Sequence, residues 1–457
     1  MLKKSEKSWS ERLNSAIPGG AHTYSRGDDQ YPINAPQILE KGSGCYIWDP
    51  EGNKYLDYGM ALRAVTVGYA DPRINKAAIK QMENGVNLTR PSLIELEAAE
   101  TIIDLIPSAE MVKFAKNGSN VTTAAAKIAR AYTGKKFICI PRQHPFFSFD
   151  DWFIGITPIQ RGIPEEHYST TLLFDYNDFE SVEKLFDEYP GQIAGVMLEP
   201  ATTIDPCPAE CTKVRTLGES CKNCPNKEKN FLHRVKALCH KHSALFILDE
   251  MITGFRWDIR GAQSYFGIIP DLATFGKGMA NGYSVTALVG QKEFMKIGGI
   301  KEEGMERTFL ISTTYGAEMH ALGALVETIN MYKEFDITKH FWEYGAKLFE
   351  GFNRISEALG IKDKIFMDGS YICMNYVTKD NDANISLPFR TLFSQEMIKN
   401  GVLMPWIAVS YAHNDEHLKY SLEAIEKTLT VYKKALHEGI DKYLIGPAIK
   451  PVFRKYN

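Results

Sequence analysis

Four apolar runs without alternation stand out along the chain: "KFICI", "IAGVMLE", "ALFILD" and "TALVG". A strand that shows no polar face is covered on both sides, as in a parallel sheet flanked by helices. Between these runs lie segments with helical periodicity, such as "FLHRVKALCHKH". From about Asp71 to Val289 the pattern therefore reads helix, strand, helix, strand, which predicts an α/β domain with a mixed, mostly parallel sheet covered by helices. Upstream, "GCYIWDPEGNKYLDY" predicts a hairpin of two aromatic-rich strands around Asp49 to Asn53. Ser5 to Ala16 reads as a short helix stopped by "IPGG". After about Leu325 helical periodicity dominates, with one further strand at "SYICMNYV", as expected of a smaller α+β domain. The expected division is 1–65 as an N-terminal segment contributing to the small domain, 66–328 as the large domain and 329–457 as the C-terminal small domain.

Composition narrows the class of partner. Hydrophobic residues at 44% and charged residues at 24% are those of a soluble globular chain. A formal net charge of −3 gives no electrostatic reason to bind nucleic acid or an anionic membrane. No apolar run approaches the roughly 18 residues of a membrane span. The charged start "MLKKSEKSWSERL" lacks the apolar core of a signal peptide, so a cytoplasmic location is expected. Cys45, Cys139, Cys239 and Cys373 are scattered in apolar contexts and read as core thiols.

The run "ALFILDEMITGFR" stops at two carboxylates, Asp249 and Glu250. In open α/β sheets ligands sit beyond the carboxyl ends of the strands, so an acid at that point faces a ligand. Downstream, in "PDLATFGKGMANGYSVTALVG", Lys277 lies between Gly276 and Gly278, which leave its amine room to form a Schiff base with a carbonyl cofactor. Upstream, "KNGSNVTTAAAKIARAYTGKK" reads as a turn feeding a helix, with Gly118, Ser119 and Asn120 at its start. The free N–H groups of a helix start, at the positive end of its dipole, make a phosphate site. Each feature alone has a plain structural reading: a cap, a surface turn, an N-cap. Together they are the parts of a pyridoxal 5'-phosphate site, which needs a phosphate cradle, an amine and a carboxylate that keeps the pyridinium nitrogen protonated. Asp249 is expected to be that carboxylate.

"LDEMITGFR" followed by "PDLATFGKGMANGY" resembles the class III aminotransferases, in particular the branch around glutamate-1-semialdehyde aminomutase, and the similarity runs from "IPGG" to "YAHNDEHLKYSLEAIEKTL". The resemblance implies a fold type I pyridoxal-phosphate transferase that works as a cytoplasmic homodimer with shared active sites. By motif position it makes Lys277 the Schiff-base lysine and Asp249 the ring-nitrogen partner. Gly118, Ser119 and Asn120 hold the phosphate, and Thr314, in "STTYGAEMHALGAL", supplies a phosphate contact to the neighbouring subunit. Glu199 and Pro200 line the ring site, and Ile252 packs under the ring. Three positions depart from the pattern. "FFSFDDW" puts Phe146 in place of the ring-stacking tyrosine, which keeps the aromatic face and loses the hydroxyl. "MALRAVTVGYADP" puts Arg63 where the aminomutase pattern has glycine, beside Leu62 at a position usually aromatic. The stretch from Thr203 to Asn230 is inserted. Arg26 in "PGGAHTYSRG" aligns with the arginine that meets the substrate carboxylate, so Arg26 and Arg63 are the two candidate substrate cations.

The insertion carries Cys207, Cys211, Cys221 and Cys224 in a C-x3-C-x9-C-x2-C pattern among residues that form no core. Four thiolates on two turns suit a structural zinc ion, and an iron–sulfur cluster uses the same ligands. The expected activity is transfer of an amino group from glutamate to an aldehyde or ketone, such as a sugar or a phosphorylated carbonyl. An intramolecular 2,1-amine shift of the aminomutase kind and a docking scaffold built on the same fold are the alternatives. Small molecules are the expected partners.

Overall fold

The computed structural model describes residues 7–144, 146–207 and 230–457. The chain forms two compact units. One contains Arg63–Val67 and Asp71–His340; the other contains the residues up to Leu62, Gly68–Ala70 and Phe341–Asn457.

The larger unit is built on a seven-stranded sheet in the order Met111–Ala115, Thr286–Gly290, Leu272–Phe275, Leu245–Asp249, Ile193–Leu198, Phe137–Pro141 and Thr171–Phe174. Thr286–Gly290 runs antiparallel to both neighbours, and the five strands from Leu272–Phe275 to Thr171–Phe174 are mutually parallel. All four apolar runs form strands, and every strand position is buried. Three strands had no such signal. Met111–Ala115 and Thr171–Phe174 are the two edges, where part of the strand stays half-buried or exposed. Leu272–Phe275 has only four residues, one of them Thr274.

Helices cover both faces. Gly118–Thr133 begins with the Asn117 side chain accepting from Asn120 N at 3.2 Å and ends at Gly134, whose φ of 68° suits a residue without a Cβ. Its buried stripe of Val121, Ala124, Ala125, Ile128 and Ala129 lies in the core of the sheet. Pro72–Glu83 and Met319–Phe335 pack backbone to backbone at Gly323, where a Cβ would come within 2.9 Å of Ala77 O. Arg73 fastens the same pair, reaching Glu327 and Glu334 at 2.7 Å each.

The smaller unit is α+β. Tyr46–Trp48 and Lys54–Asp57 form the expected antiparallel hairpin, extended by Lys41–Ser43 on one side and by Val402–Leu403, parallel, on the other. In place of the single strand expected after residue 370, two strands pair, Ile365–Asp368 with Asn375–Thr378. Helices Leu387–Lys399 and Asp415–Glu438 pack together in this unit, and the N-terminal helix is Trp9–Ala16, closed by a Ser8–Glu11 capping box. The buried Asp57 carboxylate accepts from Gly59 N at 2.7 Å, Met60 N at 3.0 Å and the Tyr69 hydroxyl at 2.7 Å, and Tyr69 in turn accepts from Ala61 N at 2.8 Å. These bonds hold Met60, Ala61 and Leu62 at φ of 40°, 48° and 62°. A left-handed backbone costs about 1–2 kcal/mol per L-residue, so the turn exists only because side chains enforce it.

Candidate active site

The carboxyl ends of the parallel strands converge on one edge of the large sheet, and chemical groups collect there. Asp249 is the last residue of Leu245–Asp249; Glu199 follows Ile193–Leu198 directly; Lys277 follows Leu272–Phe275 after one glycine. The start of Gly118–Thr133 comes two residues after Met111–Ala115. The sheet order, and not closeness in sequence, brings these groups to one edge.

Glu250 shows what a structural acid looks like at this edge. Its carboxylate accepts from Thr253 Oγ1 at 2.7 Å, Ala262 N at 2.7 Å and Gln263 N at 2.9 Å. It is used up in closing the loop that follows. Asp249 is equally buried, yet both of its hydrogen bonds, from Met251 N at 3.0 Å and Thr274 Oγ1 at 2.9 Å, go to Oδ1. Burial pushes its carboxyl up to about 6, against the pull of those two donors and of the Lys277 ammonium. Glu199 is pushed up to about 8 by burial and the Asp249 charge, with Lys277 and Arg63 opposing. Burial lowers Lys277, helped by Arg63 and Arg256 and opposed by Glu199 and Asp249. Lys277 is thereby biased toward the free amine, the form that attacks carbonyls.

The backbone around Lys277 is tight. The residue sits at φ 44°, a left-handed conformation rare for lysine. A Cβ on Gly276 would come within 2.7 Å of Met251 Sδ, and one on Gly278 within 2.8 Å of Thr66 Cγ2. The flanking glycines thus allow close packing beneath the lysine, a different reason from the open access expected from the sequence. A Cβ on Gly118 would also meet Met251 Sδ, at 3.3 Å. Met251 therefore fills the space between the helix start and the lysine loop, while Ile252 is half-buried.

Glu199 is held from behind by two residues that sequence reasoning missed. Its N–H donates to His144 Nδ1 at 3.0 Å, and the Tyr176 hydroxyl donates to Pro200 O at 2.7 Å. The His144 and Tyr176 rings lie 4.7 Å apart. No sequence signal marked either residue, because the bond at His144 goes to a main-chain N–H. Glu199 Oε2, His144 Nε2 and Arg63 Nε are buried without hydrogen-bond partners. Arg63 continues the left-handed run at φ 68°, and its carbonyl accepts from Arg256 Nη2 at 3.0 Å. Buried polar groups in native proteins are normally paired, so unpaired ones clustered at a strand edge mark a ligand's place.

The other candidates fall as follows. Ser119 is buried, and its Oγ accepts from Phe149 N at 2.9 Å, tying the "FFSFDDW" segment to the helix start. Asn120 N is taken by the Asn117 cap. Phe146 is 47% exposed, edge-on to Phe153 with ring centroids 5.7 Å apart. Thr314 is exposed. Arg26 lies in the smaller unit, where with Tyr31, Asp57, Tyr69 and Trp406 it lines a cavity of about 780 Å³. Cys207 is buried, with its N–H donating to Asn177 Oδ1 at 2.8 Å. Cys211, Cys221 and Cys224 lie outside the described residues, and so does the four-cysteine zinc or iron–sulfur reading. Among the described residues no group of three or more His, Cys, Asp or Glu side chains is placed to hold a metal. Cys45, Cys139, Cys239 and Cys373 are buried.

Comparison with known proteins shows the family of the chain. The aminotransferase class-III family model matches residues 26–160 and 154–429. The chain belongs to the class-III aminotransferases. It is 29% identical over 431 residues to a 3-aminobutyryl-CoA aminotransferase of Cloacimonas acidaminovorans (strain Evry), covering 93% of this chain and 97% of that one. It is also 29% identical over 451 residues to a glutamate-1-semialdehyde 2,1-aminomutase of Alkaliphilus oremlandii (strain OhILAs), covering 95% and 100%. Among solved structures, the FumI protein of Sphingopyxis sp. MTA144 in its PLP internal aldimine form superposes with a TM-score of 0.80 at 24% identity, over 94% of this chain and 97% of that one. The fold is that of the type I pyridoxal-phosphate transferases, and the class-III enzyme takes pyridoxal phosphate as its cofactor. The residues present fit that group: a bare glycine at the helix start, a buried acid with hydrogen bonds to one oxygen, a half-buried lysine whose charged form is disfavoured, and unpartnered polar atoms. Among the described residues no helix is long and apolar enough to cross a membrane.

Proposed function

We propose that this aminotransferase moves an amino group between two molecules, from glutamate to an aldehyde or ketone, and that Arg63 anchors the anionic part of the substrate. The observation that carries the reading is Arg63 itself: a guanidinium Nε, buried and unpartnered, in electrostatic contact with Lys277 and Glu199. Arg63 is half-buried, and its buried Nε–H without a partner is costly; a substrate carboxylate or phosphate removes that cost. The aminomutase alternative is weakened at the same position, because Arg63 replaces a glycine of that pattern.

In this reading pyridoxal phosphate supplies the electron sink that makes the substrate carbon acidic. Asp249 keeps a proton on the ring nitrogen. The N–H groups of Gly118 and Ser119 would face the phosphate at the helix start, where Asn120 N is capped by Asn117, and Thr314 of a second copy would complete that cradle in a homodimer. Met251, which lies against Gly118 and Gly276, and Ile252 would line the ring site, and Phe146 would offer it an aromatic face. Lys277 Nζ takes the proton from the substrate carbon that bears the amine and returns it during the transfer. Glutarate-like anions dock at Arg63, and sugars or phosphorylated carbonyls are the acceptor classes that suit a cationic pocket.

The test is a single half-reaction. Holoenzyme mixed with L-glutamate and no acceptor should lose its visible absorbance band and release one 2-oxoglutarate per site. A bleached enzyme that releases no 2-oxoglutarate would contradict completed transfer from glutamate, and it would not support the intramolecular shift, since glutamate has no neighbouring carbonyl to take the amine. An unchanged band would remove glutamate as donor.

A further inference from the structure

Two neighbouring residues at the edge of the large sheet hold both ends of the stretch that leaves Glu199. Tyr176 and Asn177 come just after the edge strand Thr171–Phe174, and both are buried. The Tyr176 hydroxyl donates to Pro200 O at 2.7 Å, immediately after Glu199. The Asn177 side chain takes the other end: its Nδ2–H donates to Asp205 O at 3.1 Å, and its Oδ1 accepts from Cys207 N at 2.8 Å. Cys207 O accepts from Phe231 N at 2.9 Å, so the chain on either side of residues 208–230 meets here. The loop of the intervening strand, Phe137–Pro141, is caught in the same set. Gln143 Oε1 accepts from Tyr176 N at 2.8 Å, the Tyr176 and His144 rings lie 4.7 Å apart, and His144 Nδ1 accepts from Glu199 N at 3.0 Å. Asn177 sits at φ 69°, a left-handed conformation that asparagine adopts more readily than most residues with a Cβ. A buried amide needs partners, and in an ordinary turn its own loop supplies them. Here the partners are main-chain groups 28 and 30 positions further along the chain. The side chain therefore serves the stretch that joins Glu199 to the inserted segment, and not its own turn.

We propose that Tyr176 and Asn177 are positioning residues for Glu199, so that the root of the inserted segment is part of what supports the active site. This rests on the reading of Glu199 as a residue of the cofactor's ring site. Glu199 is in electrostatic contact with Lys277 and Asp249, and such contacts change steeply with distance. Where the Glu199 backbone lies therefore sets the field at the reacting amine. With Pro200 tied to Tyr176 and Cys207 tied to Asn177, the stretch between them is fixed at both ends. Untied at either end, it opens more often, and each opening draws the Glu199 N–H off His144. Neither Tyr176 nor Asn177 need touch the cofactor: a misplacement of about 1 Å at a reacting group, caused from a distance, costs on the order of 10²-fold in rate.

Two variants take the ends apart. Asn177→Gly keeps the left-handed backbone and deletes the side chain, and Tyr176→Phe keeps the ring and deletes the hydroxyl. Hydrogen–deuterium exchange of the purified holoenzymes, resolved to single residues, reports the Cys207 and Glu199 amides separately. Asn177→Gly should speed exchange by about tenfold or more at both amides, whereas Tyr176→Phe should speed it at Glu199 and leave Cys207 within about twofold. In both variants the half-reaction with saturating L-glutamate should slow by about 10- to 100-fold, with half-saturation within about threefold of wild type. Faster exchange at Cys207 alone in Asn177→Gly overturns the inference, since Asn177 then fastens only the inserted segment. If Asn177→Gly does not fold, unchanged exchange at Glu199 in Tyr176→Phe overturns it unaided. Glu199→Ala separates this inference from the reading beneath it. If Glu199→Ala is slow and the two variants, despite their exchange effects, react at the wild-type rate, the positioning role is overturned. If Glu199→Ala reacts as wild type does while the exchange effects are present, Tyr176 and Asn177 do position Glu199, and the ring-site reading of Glu199 fails alone.

Discussion

Two regions of the molecule, the Asp57–Tyr58 segment of the smaller unit and the strand-end edge of the larger one, both bury polar groups, and they do opposite things with them. In the smaller unit the Tyr58 hydroxyl meets Tyr344 at 2.7 Å and Ser421 at 2.8 Å, and Asp57 has three donors within 3.0 Å. Those networks are closed, and the closure fixes a backbone turn that L-residues resist. In the larger unit Glu199, Arg63 and His144 end in unpartnered atoms beside Lys277. Glu250 sits among them as an internal control, fully bonded one residue from Asp249. A satisfied polar core stabilises the fold, whereas an unsatisfied one waits for a ligand.

Substitutions should separate the two kinds. Lys277→Ala should abolish turnover, by at least about 10⁴-fold, if Lys277 is, as proposed, the amine that bonds the cofactor and moves the proton. The fold should persist, and pyridoxal phosphate should still bind reversibly, as circular dichroism and equilibrium dialysis would show. Asp249→Asn should cost about 10²–10⁴-fold in kcat with little change in melting temperature, because an amide cannot hold the pyridinium proton by charge. Glu250→Gln should invert that result. It should remove roughly 2–4 kcal/mol of stability, because one oxygen that accepts from main-chain N–H groups becomes a donor, and it should leave kcat of the folded fraction within a few-fold. Equal activity losses in the two variants would erase the distinction between them. Tyr69→Phe tests the closed network and should cost about 1–2 kcal/mol in chemical denaturation, as Asp57 and Ala61 N each lose a partner.

A separate effect concerns pH. Glu199 is raised in the folded cofactor-free protein, so the folded state holds its proton more tightly than the unfolded chain does. Its contribution is fully present below the ordinary glutamate range, at about pH 4, and is lost as pH rises through about 8. Apoprotein should therefore lose stability between about pH 5 and 8 relative to Glu199→Gln. A difference between the two that does not change with pH would contradict this.

Much of this was legible in the chain, for identifiable reasons. "ALFILD" and "IAGVMLE" read as buried strands because both faces are covered, and a strand end in such a sheet is where acids do chemistry. The edge strands Met111–Ala115 and Thr171–Phe174 were not legible, because half-buried positions blur the pattern. Asp249 and Glu250 are chemically alike in sequence; only the loop that closes on Glu250 separates them. The resemblance places Ile252 under the ring; Ile252 is half-buried, and Met251 is the side chain that lies against Gly118 and Gly276. His144 was invisible because it acts on a main-chain N–H, which leaves no trace in the residue at the other end.

The account rests on Lys277 as the one amine that bonds the cofactor. Holoenzyme reduced with borohydride, digested and analysed by mass spectrometry tests this directly. The account predicts a single pyridoxyl adduct, on Lys277, and no adduct in Lys277→Ala. An adduct on another lysine, or retention of the label in that variant, would contradict it.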